Sequence, residues 1–264
     1  MNDQAPACIG VFDSGVGGLT VLRELHRQIP QAPLLYLADT AWAPYGEKTP
    51  DVLIQRSLAI TGWLQRQGAT LVVIACNTAT AHAIQTVRER FPGLPIVGTE
   101  PGIKPAVEAS RRHRIGVLAT PATLASARYR SLIERHAPGT EVLDQPCPGL
   151  ADAIESGDFD APGLGALVER FCEPLREAGV DTVLMGCTHY PLIRPMLQRA
   201  LGPEVRLLDI ETAVAQQARR LWTAPPDARD GALRLATTGS APSLQRFVER
   251  ALGWQGLSVE AVQL

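Results

Sequence analysis

The chain has little lysine: Lys48 and Lys104 are the only two in 264 residues. Enzymes that use pyridoxal phosphate hold it through a lysine Schiff base, so this scarcity agrees with chemistry that needs no pyridoxal. The sequence also lacks C-x2-C and H-x3-H pairs, and its closest Cys/His pair is Cys187 and His189, which disfavours a zinc site. No G-x-S-x-G motif of a hydrolase nucleophile occurs either. These absences disfavour a metal site and a hydrolase triad, and they are compatible with a reaction that uses no organic cofactor.

The sequence carries no long run of one charge and no apolar run of membrane-spanning length. Its formal net charge is -2, so we expect no nucleic-acid partner. Residues 1–7 are polar and lack the pattern of a secretory signal, which predicts a soluble, cytoplasmic protein with no membrane partner. The five cysteines are then expected to be free thiols, each a core residue or a chemical group.

Short apolar runs alternate with longer amphipathic segments along the whole chain. The runs predict strands at 8–13, 34–39, 71–76, 95–98, 114–120, 141–143, 182–187, 205–210 and 233–237. The segments between them predict helices at 18–29, 52–67, 79–91, 123–136, 164–178, 192–201, 212–222 and 242–252. This alternation is typical of an α/β fold with mostly parallel sheets.

Two of the strands resemble each other and predict an internal repeat. Residues 71–76 form an apolar strand that ends in Cys76, and residues 183–187 form one that ends in Cys187, 111 residues later. Each is followed by small hydroxyl or amide residues and a predicted helix. We expect two similar Rossmann-like or flavodoxin-like domains with the active site between them. The predicted domains are 1–98 together with 209–264, and 99–208.

The matched cysteines are candidates for chemistry because functional groups in open α/β sheets collect beyond the carboxyl ends of the strands. A thiol before a helix N-terminus feels the positive end of the helix dipole, which favours thiolate. A single buried cysteine is more often a small core residue, but two in matched positions favour a functional role. The strand ends carry Asp13, Asp39, Cys76, Thr120 and Cys187. The other cysteines, Cys8, Cys147 and Cys172, are assigned to packing.

Residues 13–18 form a glycine-rich turn between the first strand and the first helix. Such a turn exposes backbone N–H groups that can bind an anion. It can equally be a tight turn capped by Asp13, and the two readings are compatible. The glycine spacing is not that of a dinucleotide site. His189 lies two residues beyond Cys187, where it is a candidate proton partner for that thiol.

These motifs together resemble the glutamate racemase family. The resemblance runs in order from about residue 9 to residue 209, with a further match at 237–239. The matching stretches are DSGVGGLTVLR at 13–23, ADT at 38–40, PYGEK at 44–48, ACNTA at 75–79, EP at 100–101 and GCTHYPL at 186–192. One departure is Trp42, because the family often has a basic residue two positions before the proline of the PYG motif.

The resemblance implies interconversion of L- and D-glutamate without pyridoxal phosphate, which supplies D-glutamate for peptidoglycan, by a homodimer. It implies that Cys76 acts on D-glutamate with help from Asp13, and Cys187 on L-glutamate with help from His189. Glu155 matches an acidic family residue near His189. The remaining implied substrate contacts are Ser14, Tyr45, Gly46, Asn77, Thr78, Thr120 and Thr188, beside Asp13 and His189 themselves.

Two alternatives stay open at this point. A racemase of the same group that acts on aspartate or a hydantoin would share the cysteines and differ in pocket size. A non-catalytic binding or regulatory protein could share the fold, although binding alone would not need both thiols. Exchange of the glutamate Cα hydrogen with solvent deuterium separates the second alternative from an enzyme.

Overall fold

The computed structural model describes residues 7–224 and 231–264, which contain ten strands and eleven α-helices. The strands are β1 (Cys8–Asp13), β2 (Leu34–Ala38), β3 (Ala69–Ile74), β4 (Ile96–Gly98), β5 (Arg114–Ala119), β6 (Glu141–Pro146), β7 (Thr182–Met185), β8 (Arg206–Leu208), β9 (Leu233–Thr237) and β10 (Val259–Ala261). The helices are α1 (Leu19–Gln28), α2 (Pro50–Arg66), α3 (Asn77–Arg90), α4 (Ile103–Ala109), α5 (Pro121–Ala125), α6 (Ala127–His136), α7 (Leu150–Glu155), α8 (Pro162–Glu177), α9 (Arg194–Leu201), α10 (Glu211–Leu221) and α11 (Ala241–Leu252). Two short 3-10 helices cover Tyr45–Glu47 and Tyr190–Ile193.

The strands form two separate sheets, and all neighbouring pairs within them are parallel. The first sheet has the order β10-β9-β2-β1-β3-β4, and the second has the order β6-β5-β7-β8. In both sheets the strand order reverses direction at one strand. In the first sheet β1 lies between β2 and β3, and in the second sheet β5 lies between β6 and β7. Such a reversal of direction opens a crevice at the carboxyl ends of the strands.

Both faces of each sheet are covered, which explains the near-continuous apolar strands. In β1, Ile9 and Val11 pack into one apolar cluster, while Cys8 and Phe12 pack into a second. The second sheet is covered in the same way by two further clusters. Alternating side chains of one strand thus reach opposite faces, as strand geometry requires.

The helices bury one side against these sheets. In α11, Leu244, Phe247 and Val248 are buried at helical spacing, and the rest of the helix is more exposed. Across residues 7–224 and 231–264, no helix combines the length and the apolar character needed to cross a bilayer.

The structure corrects several predicted elements. The helix predicted at 123–136 is two helices, because Ser126 takes an extended conformation and its side chain accepts a hydrogen bond from the N–H of Tyr129. The sixth strand runs on to Pro146 rather than ending at 143. Three short elements, α4, α7 and β10, were not predicted, since three to seven residues are too few to show a hydrophobic period.

Candidate active site

A small cavity holding about 50 Å³ lies where the carboxyl ends of the two sheets meet. The walls come from both sheets: β1 and β3 lead into one side, and β5 and β7 lead into the other. The predicted site residues in its walls are Ser14, Tyr45, Gly46, Cys76, Asn77, Thr78, Thr120, Glu155, Cys187, Thr188 and His189. Asp13 is fully buried directly behind this wall, at the end of β1. The structure therefore brings all of the predicted site residues to one place.

Cys76 lies at the N-terminus of α3, where its sulfur accepts a hydrogen bond from the N–H of Ala79 at 3.5 Å. Its Sγ is 3.8 Å from the hydroxyl of Ser14, which in turn donates to Asp13 Oδ1 at 3.3 Å. Burial raises the pKa of the Cys76 thiol well above its usual value, and the Asp13 carboxylate adds to this effect. These surroundings therefore favour the thiol form of Cys76 over the thiolate.

Asp13 is held by several donors although no solvent reaches it. Its Oδ2 accepts hydrogen bonds from the N–H of Gly18 at 2.6 Å and from the hydroxyl of Thr188 at 3.4 Å. Burial raises the pKa of Asp13, while the charge of His189 and the Gly18 N–H act to lower it. The carboxyl group thus closes the glycine-rich turn before α1 and also accepts a hydrogen bond from Ser14, the neighbour of Cys76.

Cys187 has a different partner. Its Sγ is 3.6 Å from Nδ1 of His189, and Nε2 of the same ring is 3.3 Å from Glu155 Oε2. Burial alone would lower the pKa of His189, but the hydrogen bonds to Cys187 and Glu155 raise it well above its usual value. The His189 ring therefore connects the Cys187 sulfur to the Glu155 carboxylate, and both contacts favour its charged form.

The predicted anion site of the glycine-rich loop (residues 14–18) is occupied by the protein itself. The N–H of Val16 donates to both oxygens of Glu155, at 3.0 and 2.9 Å. A Cβ atom on Gly15 would lie 1.5 Å from Glu155 Oε1, and one on Gly17 would lie 2.4 Å from His189 Nδ1. A side chain at either position would displace Glu155 or His189, because the loop of the first sheet touches the catalytic candidates of the second.

The cavity also presents uncharged polar groups. Thr78 and Thr120 come from different sheets, and their hydroxyl oxygens are 3.0 Å apart. Asn77 donates to the carbonyl of Thr99 at 3.5 Å, but its buried Oδ1 has no hydrogen-bond partner in the described part of the chain. A buried acceptor without a partner is unfavourable, so Asn77 is ready to accept a hydrogen bond from a bound ligand.

Sequence reasoning missed part of the wall. Glu47, Asp152 and Cys147 also line the cavity. Cys147 was assigned to packing; it is buried, it donates to the carbonyl of Gln145 at 3.3 Å, and burial raises the pKa of its thiol to about 12. Glu47 belongs to the PYGEK motif, which gave it no separate role, whereas Cys147 and Asp152 follow β6 in a segment without a matching motif.

The described residues contain no group of three or more His, Cys, Asp and Glu side chains arranged to hold a metal ion. The remaining two packing assignments agree with the structure, because Cys8 and Cys172 are buried in the apolar clusters and do not line the cavity. Of the three cysteines that line the cavity, Cys147 bonds to a backbone carbonyl, whereas Cys76 and Cys187 contact polar side chains and are therefore the reactive candidates.

Comparison with known proteins places this fold and site in a family. A family model described as Asp/Glu/Hydantoin racemase matches residues 9–218. A glutamate racemase of Pseudomonas syringae pv. tomato is 50% identical over 221 residues, which cover 84% of this chain and 80% of the relative. Such identity over most of both chains extends the resemblance seen in the motifs to the whole protein.

Solved structures agree with the sequence comparison. Glutamate racemase of Escherichia coli, in complex with L-glutamate and the activator UDP-MurNAc-ala, matches with a TM-score of 0.86 and 30% identity, over 98% of this chain and 100% of that chain. The enzyme of Francisella tularensis in complex with D-glutamate matches with a TM-score of 0.83 and 27% identity, over 99% and 98%. The predicted α/β fold with two parallel sheets is confirmed. The chain therefore belongs to the Asp/Glu/hydantoin racemase family, in its group of glutamate racemases.

Proposed function

We propose that this protein interconverts L- and D-glutamate with two cysteines and no pyridoxal phosphate, and so supplies D-glutamate for peptidoglycan. One observation carries the proposal: Cys76 and Cys187 follow strands of different sheets, line the same small cavity, and each has its own proton partner. Inversion at a carbon needs a base on one face and an acid on the other. Two thiols on opposite walls meet that requirement.

The proposed reaction moves two protons and no other atoms. Starting from D-glutamate, the Cys76 thiolate takes the proton from Cα, and the Cys187 thiol gives a proton to the opposite face, which yields L-glutamate. The reverse reaction exchanges the roles of the thiols. His189 then resets the Cys187 side, because its charged ring is within hydrogen-bonding distance of that sulfur.

The raised pKa of Cys76 requires that the substrate itself help to form the thiolate. The ammonium group of glutamate brings a positive charge into the cavity, and a nearby opposite charge favours the thiolate. Asp13 is connected to that thiol through the Ser14 hydroxyl, so its carboxylate can accept the proton that Cys76 releases. Asn77 Oδ1 offers an acceptor for the ammonium, and hydroxyls of Ser14, Thr78 and Thr188 offer donors to the carboxylates.

The decisive experiment needs only purified protein. Each enantiomer of glutamate and of aspartate is incubated in D2O without added cofactor, and circular dichroism and the NMR signal of the Cα hydrogen are followed. We expect loss of optical rotation for both glutamates with incorporation of deuterium at Cα, and much slower change for aspartate. Faster racemisation of aspartate would change the substrate. Retention of the Cα hydrogen in all four would remove the proposed activity.

Three broader parts of the proposal remain: the homodimer follows from the resemblance, the cytoplasmic location from the composition, and the domain division from the internal repeat. We propose a homodimer that works in the cytoplasm, and a division of the chain into domains 1–98 with 209–264, and 99–208. Light scattering of the purified protein measures the first, and limited proteolysis followed by mass spectrometry finds whether cleavage concentrates near residues 98 and 209.

A further inference from the structure

The loop formed by residues 42–48 closes one side of the cavity. Its residues from Ala43 to Glu47 line the cavity wall, although they follow a strand of the first sheet. At the far end, Gly46 meets the second sheet: a Cβ atom on Gly46 would lie 3.2 Å from the Thr120 side chain. The position of this loop therefore sets how closely the two halves of the cavity approach each other.

Behind the loop lies a buried ion pair that the proposed reaction does not use. Asp39 is fully buried at the end of β2, and its carboxylate accepts two hydrogen bonds from Arg56, at 2.7 and 3.0 Å. The hydroxyl of Thr238 donates to the same carboxylate at 2.8 Å. Arg56 is only 8% exposed, so this pair lies within the folded protein rather than on its surface.

The loop is tied to this ion pair through Tyr45. The Tyr45 hydroxyl donates to Asp39 Oδ2 at 2.5 Å, and the N–H of Trp42 donates to the Asp39 carbonyl at 2.9 Å. The Trp42 ring lies over the Arg56 guanidinium, with 4.7 Å between the guanidinium carbon and the ring centroid. Because the Tyr45 hydroxyl is engaged by Asp39, Tyr45 contributes its backbone and ring to the cavity rather than its hydroxyl.

We propose that Asp39 and Arg56 are positioning residues, which hold the 42–48 loop over the cavity through the Tyr45 hydroxyl and so set the affinity for substrate. This inference rests on the proposed function for its kinetic part. Asp39 and Arg56 touch neither thiol network, so their effect belongs to binding and not to proton transfer. If the loop were released from Asp39, the cavity would be wider and more accessible to water, and its affinity for glutamate would be lower.

The test compares two tyrosines that differ in what they hold. Tyr45→Phe removes the hydroxyl that reaches Asp39 and keeps the buried ring. Tyr129→Phe is the matched control: Tyr129 is equally buried and its hydroxyl bonds to Asp144, but both lie away from the loop. We expect Tyr45→Phe to raise KM for both glutamate enantiomers about tenfold, which corresponds to about 1.4 kcal/mol, with kcat close to that of the unchanged protein. Tyr129→Phe should leave KM unchanged.

A second readout does not depend on racemase activity. The rate at which iodoacetamide labels Cys76, followed by mass spectrometry, reports how open the cavity is. We expect faster labelling in Tyr45→Phe and in Arg56→Lys, which keeps the charge and loses the two-fold contact, and unchanged labelling in Tyr129→Phe.

The outcomes separate cleanly. Unchanged KM and unchanged labelling in Tyr45→Phe and Arg56→Lys overturn the inference. So do equal changes in Tyr45→Phe and Tyr129→Phe, which would show a general loss of stability. If the unchanged protein does not racemise glutamate, the proposed function fails. Faster labelling of Cys76 in Tyr45→Phe and Arg56→Lys would still support the inference that Asp39 and Arg56 hold the 42–48 loop over the cavity.

Discussion

Cys76 and Cys187 follow corresponding strands of the two sheets, β3 and β7, but their surroundings differ. Cys76 begins a helix of 14 residues and shares its proton network with a fully buried carboxyl group, Asp13. Cys187 precedes a 3-10 helix of four residues, and its partner is His189, whose pKa is raised by its contacts with Cys187 and Glu155. Equivalent positions in a repeated fold thus carry different proton partners.

The comparison also shows that the two sides are joined. Glu155 bonds to His189 and to the N–H of Val16, so the glycine-rich loop that carries Ser14 is held by the Cys187 side. A disturbance of this bridge is expected to reach both thiols.

The largest effect should come from removing either thiol. Cys76→Ala and Cys187→Ala should each lower the rate of racemisation by roughly 10⁴-fold, since each removes an acid or base from the reaction. Cys172→Ala is the control, because Cys172 is buried in the core and does not line the cavity; it should keep the rate of the unchanged protein. Polarimetry measures all three. Substantial racemisation by either active-site variant would exclude the two-thiol mechanism.

The next largest effect should distinguish the two sides. Asp13→Asn should slow proton removal from D-glutamate, and His189→Asn should slow removal from L-glutamate, each by roughly 10²–10⁴-fold in that step. Both directions must still lose kcat/KM equally, because the equilibrium constant is unchanged. The difference is therefore measured in kcat and KM separately, and in isotope effects with 2-deuterated substrate of each hand. Identical isotope-effect changes for both variants would reject the assignment of sides.

A smaller effect should follow from disturbing the bridge. In Gly15→Ala the new Cβ would collide with Glu155 Oε1, and the flexible glutamate end must move away from Val16 and His189. The variant should fold, with racemisation reduced about tenfold, at the lower end of what loss of a positioned partner costs. Gly163→Ala, where a Cβ meets nothing within 4 Å, is the control and should be fully active. Full activity of Gly15→Ala would show that the bridge is dispensable.

The smallest effect concerns stability and its dependence on pH. Glu155→Gln should lower the free energy of unfolding by about 1–3 kcal/mol, the cost of losing a hydrogen bond to a charged group. Because the pKa of His189 is raised in the folded protein, this stabilisation is complete below about pH 6.5 and is lost as the pH rises through the raised value. Urea unfolding from about pH 6 to about pH 10 measures the difference.

Glu141→Gln is the matched control for that measurement. Glu141 pairs with Arg114 at 2.6 Å, but both side chains are exposed, so solvent screens the pair. This variant should differ little from the unchanged protein at every pH. A pH-independent loss in Glu155→Gln would contradict a charged His189.

The pattern of apolar runs was sufficient to predict most strands and helices, because strands buried on both faces and amphipathic helices leave strong periodic signals. The motifs around Asp13, Cys76 and Cys187 were sufficient to select the cavity. Short elements such as α4 and α7 left no such signal, and the break at Ser126 depends on a local capping bond inside an otherwise helical segment.

The sequence by itself determined the alternation of strands and helices and the two cysteines at matching strand ends. Each of these features depends on residues that are close together in the chain. Only the tertiary structure decided that Glu155 would occupy the glycine-rich loop's N–H group, and that Asp39 would hold Tyr45. Glu155 and Val16 are 139 residues apart in the chain. The Glu155 contact arises where the carboxyl ends of the two sheets meet, and no local pattern of residues records which carboxylate will face which donor.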